Sequence, residues 1–248
     1  GTAGEDLLTS LAGDDSLFGG EEEDTLRTGG SAVELGAEVL QRDGSFSEFI
    51  GIESADVEGT PGADDIDASG FMGTVTIHGA GGADSLTGSS QDDHLIDGPG
   101  DDTLFGGKGA DLFDLSPGSI DVVVDSGGQD TLDFSSADAA VSVDMDAVGV
   151  EQVINSAGDL LQLEGQIEHF SGSAFADTVS VDPLEVGRSI NGGGQDEGGP
   201  GDTLRVNPLG RIAEDTGGAV EVAGLAPISY DDVENLDVRL NSLDDYGI

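Results

Sequence analysis

The stretch that decides the fold runs from residue 79 to residue 114: Gly79-Ala80-Gly81-Gly82-Ala83-Asp84-Ser85-Leu86-Thr87, Gly88-Ser89-Ser90-Gln91-Asp92-Asp93-His94-Leu95-Ile96, Asp97-Gly98-Pro99-Gly100-Asp101-Asp102-Thr103-Leu104-Phe105, Gly106-Gly107-Lys108-Gly109-Ala110-Asp111-Leu112-Phe113-Asp114. Cut every nine residues, it places an Asp sixth in each frame (Asp84, Asp93, Asp102, Asp111) and an apolar residue eighth (Leu86, Leu95, Leu104, Phe113). Four abutting copies are the mark of a stacked repeat, in which each unit buries its apolar side only against its neighbours. Glycines early in the frame let the backbone turn within six residues and aim several carbonyl oxygens at one point. The Asp adds a carboxylate to them. The last three residues read as a short strand whose middle side chain points inward, because side chains alternate across a strand. Two nine-residue frames then make one flattened coil of eighteen residues, and coils stack at about 4.8 Å.

The same frame recurs at residues 1–9, 10–18 and 19–27, with Asp6, Asp15 and Asp24 sixth and Leu8, Leu17 and Leu26 eighth. Isolated copies fall at 59–67, with Asp64 and Ile66, and at 125–133, with Asp130 and Leu132. Residues 28–58 and 134–248 lose the frame but keep short alternating runs such as Val141-Ser142-Val143 and Val179-Ser180-Val181 between Gly, Asp and Asn turns. They read as irregular coils of the same solenoid. Ile52-Glu53 before Gly59…Asp64 is echoed by Ile167-Glu168 before Gly172…Asp177, and Gly198…Asp202 is a near copy one residue short. The expected blocks are 1–58, 59–134 and 135–248. Gly1 stands first in a frame, so further repeats are expected upstream.

These residues resemble the repeats-in-toxin (RTX) family, whose nonapeptide is Gly-Gly-x-Gly-x-Asp-x-aliphatic-x. The resemblance implies an all-β chain, a right-handed parallel β-roll or β-helix solenoid, with Ca²⁺ held in the Gly/Asp-rich turns. Hard oxygen ligands suit that ion, which takes six to eight of them at about 2.3–2.6 Å. The implied metal residues are Asp6, Asp15, Asp24, Asp64, Asp84, Asp93, Asp102, Asp111 and Asp130, with the turn glycines Gly79, Gly81, Gly88, Gly98, Gly100, Gly107 and Gly109. If each ion lies between turns one coil apart, the pairs are Asp6 with Asp24, Asp84 with Asp102, and Asp93 with Asp111. The same offset takes Asp15 to Val33, so that site is incomplete, and Asp111 reaches Asp130 only with one extra residue.

Charge narrows the partners. Seven basic against 52 acidic residues give a net charge of −45. Such a surface repels phosphate backbones and anionic headgroups, which argues against nucleic-acid binding and membrane docking. No run approaches eighteen apolar residues, so no membrane insertion is expected. With no Cys and 4 % aromatics, thiol chemistry is absent and the core is aliphatic and thin. A chain this anionic would stay disordered unless something neutralised its carboxylates.

Catalytic signals are weak. His78, His94 and His169 form no HExxH, no Gly-x-Ser-x-Gly elbow occurs, and Asp144-Met145-Asp146 opens like an EF-hand loop but meets Val148 and Asn155 where ligands are needed. A calcium-binding polysaccharide lyase would need basic residues near one another, and the seven here are dispersed. The expected role is a non-enzymatic structural or adhesive segment of a larger secreted or surface protein. It would fold on Ca²⁺ outside the cell, with other copies of itself or flanking repeat domains as partners. The alternative is the secretion and folding module of an exported hydrolase or epimerase whose catalytic domain lies elsewhere.

Overall fold

The computed structural model describes residues 4–10, 15–116, 118–184, 187–194, 201–208 and 213–238. Gly1 and Gly198, which entered the repeat assignment, lie outside them. Among the described residues every regular element is a strand, and the strands form sheets of twelve, ten and four members. Most neighbours are parallel, and in the strict frames the register is the expected eighteen residues: Leu7 opposite Thr25, Ser85 opposite Thr103, His94 opposite Leu112. Successive frames therefore alternate between walls. Ser85–Thr87 and Thr103–Phe105 belong to the ten-stranded sheet, His94–Ile96 and Leu112–Asp114 to the twelve-stranded one.

The eighth residue of each frame fills the space inside. Leu86, Leu95, Leu104, Phe113 and Leu132 are wholly buried and belong to one contiguous apolar cluster. A fully buried side chain of this size contributes about 2 kcal/mol, and each frame of residues 79–114 supplies one, whereas Leu8 and Leu17 at the start of the stack are only partly buried. Where the coils grow longer, aromatic pairs thicken the core: Phe49 against Phe71 at 6.0 Å and Phe134 against Phe170 at 5.9 Å between ring centres.

Residues 28–58 depart from the expected irregular parallel coil. Ala32–Leu35, Val39–Arg42 and Ser45–Ile50 form an antiparallel meander. Its second turn is Asp43-Gly44, both at positive φ (46° and 86°), the pairing that matches strand twist in a two-residue hairpin. The meander joins the repeat stack along both edges, pairing in parallel with Ser16–Phe18 on one side and Asp65–Asp67 on the other. A second antiparallel hairpin, Ala213–Asp215 with Ala219–Val222, adjoins Ile228–Asp231. In the last third, four parallel strands, Ser142–Asp144, Thr178–Val181, Thr203–Val206 and Asn235–Val238, make a separate wall. No helix among the described residues is long and apolar enough to cross a membrane.

Candidate metal centres in the carboxylate ladders

The sixth residue of each frame stands just before its strand, where the parallel ladder would end and leave a backbone N–H without a partner. The next coil's Asp supplies one. Asp84 N–H donates to Asp102 Oδ1 at 2.7 Å, Asp93 N–H to Asp111 Oδ1 at 2.9 Å, and Asp6 N–H to Asp24 Oδ1 at 2.8 Å. The carbonyl of the same residue accepts the first N–H of the next strand, as Asp84 does from Thr103 and Asp93 from Leu112, both at 2.8 Å. Each Asp thus extends the sheet by one side-chain rung, and buried backbone groups find partners. All three eighteen-residue pairs come together.

The ladders are longer than the nonapeptide count. Asp64 N–H donates to Asp84 Oδ1 across twenty residues and Asp111 N–H to Asp130 Oδ1 across nineteen, each at 2.8 Å. Asp102 N–H reaches Asp121 Oδ1 at 3.1 Å. Glutamates take the same place: Glu53 Oε2 accepts from Asp24 N–H at 3.0 Å and Glu168 Oε2 from Asp130 N–H at 3.1 Å. A third ladder runs on the four-stranded sheet, Val141 N–H to Asp177, Asp177 N–H to Asp202 and Asp202 N–H to Glu234, each at 2.7 Å. Strand pairing absorbs extra residues in the turns, so spacing alone misses Asp121, Asp202 and Glu234. The Ile-Glu echo was the one sequence signal for Glu53 and Glu168. Asp15 stands apart: because the meander is inserted, its N–H donates to Ser47 Oγ at 3.1 Å instead of to a carboxylate.

The second carboxylate oxygen divides the ladder members. Oδ2 of Asp24, Asp84, Asp102, Asp111 and Asp130 is buried with no hydrogen-bond partner, in residues at most 3 % exposed. In Asp64, Asp93 and Asp177 Oδ2 accepts the N–H of Thr60, Ser89 and Ser173 at 2.5, 2.5 and 2.6 Å, and the same hydroxyls bond Oδ1. A Ser or Thr second in the frame therefore satisfies its own Asp.

Glycines keep space beside these oxygens. A Cβ added at Gly79 or Gly88 would fall 2.7 Å from Oδ2 of Asp84 or Asp93, and at Gly88 also 2.6 Å from the Gly106 carbonyl oxygen one coil on. Gly98, Gly100, Gly107 and Gly109 lie instead against the turn of the coil before, at Ala80, Gly82, Ser89 and Gln91. Gly100, with φ 154°, has no room for a side chain against the Gly82 carbonyl. Gly81 is less confined, with the Pro99 carbonyl oxygen 3.5 Å from where its Cβ would stand.

Residues 1–32 and 76–114 match the family described as RTX calcium-binding nonapeptide repeat (4 copies). The chain carries RTX repeats. No curated protein matches it.

RTX repeats bind calcium, and the oxygens here fit that ion. Beside Gly19 and Gly79 the unpartnered Oδ2 of Asp24 and Asp84 shares its space with the carbonyl oxygens of Gly51 and Asp97, an all-oxygen set of the kind calcium takes. Electrostatics demands a counter-ion. Carboxylates stacked about 5 Å apart repel by about 3 kcal/mol at an effective dielectric near 20, which exceeds the gain from the single buried leucine of a frame. Burial first, and neighbouring carboxylates second, push Asp102, Asp111 and Asp130 up to about 7 and Asp121 up to about 6. Burial also raises Asp84 and Asp93, against the hydrogen bonds that lower them. Ionising Asp102, Asp111, Asp121 and Asp130 together near neutral pH is therefore opposed unless a cation lies beside them.

Two acid clusters lie on the ladders, Asp97 with Asp102 and Asp121, and Asp111 with Asp125 and Asp130, one oxygen of each member within 4.8 Å of the others. Asp97, Asp121 and Asp125 were not among the expected ligands. A third group, Asp56, Glu58 and His78, is more exposed and lies on the outer face of the twelve-stranded sheet. All three histidines are on strands of that sheet, His78 3.9 Å from Asp56 and His94 3.9 Å from Asp114.

Proposed function

We propose that this chain is a calcium-loaded structural segment of a larger secreted or cell-surface protein, with an adhesive rather than a catalytic role. The observation that carries the reading is the pair of columns of buried, unpartnered Oδ2 atoms, Asp84 with Asp102 beside one wall and Asp111 with Asp130 beside the other. Divalent ions placed there offset the ladder charge and tie each coil to the next, so their binding free energy becomes folding free energy. Asp6, Asp24, Asp84, Asp102, Asp111 and Asp130 supply carboxylate oxygens, and the turn residues supply carbonyls. Asp64 and Asp93 contribute less, because Thr60 and Ser89 already occupy them.

Extracellular calcium modules work at Kd of about 10⁻⁴ to 10⁻³ M, so the chain stays loose where calcium is scarce and folds after export. Residues 1–58 form a first block whose strict repeats, 1–27, take calcium and whose remainder is irregular; 59–134 form the main calcium-loaded block, and 135–248 continue the solenoid irregularly. Even when loaded, the surface remains strongly acidic, which favours solubility and partners reached through calcium bridges, including other copies of the chain.

Circular dichroism during a calcium titration tests this. The expected result is little β signal in chelator and a cooperative rise in millimolar calcium. A chain equally folded in both would overturn the reading. Light scattering in the same titration reports self-association.

A further inference from the structure

Frame 97–105 breaks the repeat's own rule, because Asp97 stands first where its counterparts Gly79 and Gly88 are glycine. In those two frames a Cβ at the first position would lie 2.7 Å from Oδ2 of the frame's sixth residue. At Asp97 that Cβ exists and carries a carboxylate. The residue is 0 % exposed, so its charge cannot reach water. Ser116 N–H holds it at 2.9 and 3.0 Å to its two oxygens, and Gly98 N–H also donates to Oδ1. It converges with Asp102, 1 % exposed, and Asp121, 3 % exposed, one oxygen of each within 4.8 Å of the other two. Asp102 Oδ1 is used by Asp84 N–H, whereas its buried Oδ2 has no partner. Asp121 accepts from Asp102 N–H and Ser119 Oγ.

We propose that Asp97, Asp102 and Asp121 form a three-carboxylate divalent-cation site, more deeply buried than the comparable group of Asp111, Asp125 and Asp130, in which Asp125 is only half-buried, and that calcium loads it first. The proposal rests on the calcium-dependent reading above. Burial of three acids together costs far more than their hydrogen bonds return, and calcium affinity in oxygen sites follows the number of charged ligands. Sited mid-block between the two walls, the first ion organises coils on which later ions build.

The test uses the full chain, wild type against Asp97→Gly and Asp97→Asn. Glycine restores the residue that the neighbouring frames carry, and asparagine keeps the shape without the charge. Calcium binding by flow dialysis, with β signal followed in parallel, should show one ion bound at least about tenfold more tightly than the rest in the wild type. Both variants should lose that tight class yet still fold at higher calcium. A tight class retained in Asp97→Gly would overturn the proposal. So would a wild type with no tight class and a protonated-carboxyl band in infrared difference spectra that Asp97→Asn removes, since a shared proton would then replace the ion. A wild type indifferent to calcium would instead defeat the calcium-dependent reading itself.

Discussion

The strict block around residues 79–134 and the irregular stretch around 138–238 solve the same electrostatic problem differently. In the block, carboxylates stack coil upon coil, and none of the ion pairs among the described residues involves a ladder carboxylate there. In the irregular stretch a ladder persists through Asp177, Asp202 and Glu234, but the chain also brings a cation of its own. Arg188 stands opposite Glu168, where the next carboxylate of the twelve-stranded sheet's ladder would be. It is 2 % exposed and forks onto Asp146 at 2.7 and 3.1 Å. Arg42, in the meander, bonds neutral oxygens instead, the Ser10 carbonyl at 2.7 Å and Thr28 Oγ1 at 3.3 Å. A planar guanidinium fixed by two bonds to a carboxylate needs no ion from solution. The block, which has none, depends on what the medium supplies.

The largest expected effect separates the two regions by chelation. Hydrogen exchange in excess chelator should abolish protection of amides such as Thr103, Leu112 and Thr131, which donate into the ladder, while Val179 and Leu204 keep part of theirs. Uniform loss would erase the distinction drawn here. Next comes Arg188→Met, which leaves Asp146 facing a partly buried gap. It should destabilise the irregular stretch by about 3 kcal/mol whether or not calcium is present, and adding Asp146→Asn should recover part of that. A loss confined to calcium-free buffer would show that the guanidinium does not act as an internal counter-ion.

Acid provides a smaller lever on the block alone. The buried ladder acids bind protons more tightly folded than unfolded, since their pKa values rise from the ordinary carboxylate range to about 7 for Asp102, Asp111 and Asp130. Their contribution to apo stability is therefore fully present below pH of about 4 and is lost as pH climbs through about 7. In chelator, β signal should fall from about pH 5 to about pH 8; in saturating calcium the trend should flatten, because protons compete with the ion. Asp111→Asn, a fixed mimic of the protonated acid, should raise apo stability at pH 8 and weaken calcium binding. The smallest effect is expected at Ser89→Gly. Removing the hydroxyl leaves Asp93 Oδ1 with the Val75 N–H and Oδ2 with the N–H of residue 89, so calcium stoichiometry by flow dialysis should not change; a rise in bound ion would mean that the hydroxyl alone keeps the ion from Asp93.

The contrast also marks where sequence reading succeeds. Asp84–Asp102 and Asp93–Asp111 were legible because nine-residue counting survives wherever no turn is lengthened. Asp111–Asp130 looked doubtful only because one inserted residue shifts the count, which the turn absorbs without moving the strand. Glu53 and Glu168 sit in long coils where a side chain one methylene longer reaches the same N–H, a substitution that an Asp-centred frame cannot register. The antiparallel meander was missed because a short alternating run carries no direction; Asp43-Gly44 supplied it. Asp97 stands in the sequence where Gly79 and Gly88 open their frames, but the frame singles out only its sixth and eighth residues, and the meaning of Asp97 depends on Asp102 and Asp121 meeting it across two coils.

The central claim is that divalent ions, not protons, neutralise the ladder in the folded protein. Crystals grown in millimolar calcium, with diffraction recorded at a wavelength where calcium scatters anomalously, address it directly. The account predicts anomalous peaks against Oδ2 of Asp84, Asp102 and Asp111, coordinated only by oxygen. Well-ordered carboxylates with water or nothing beside those atoms would contradict it.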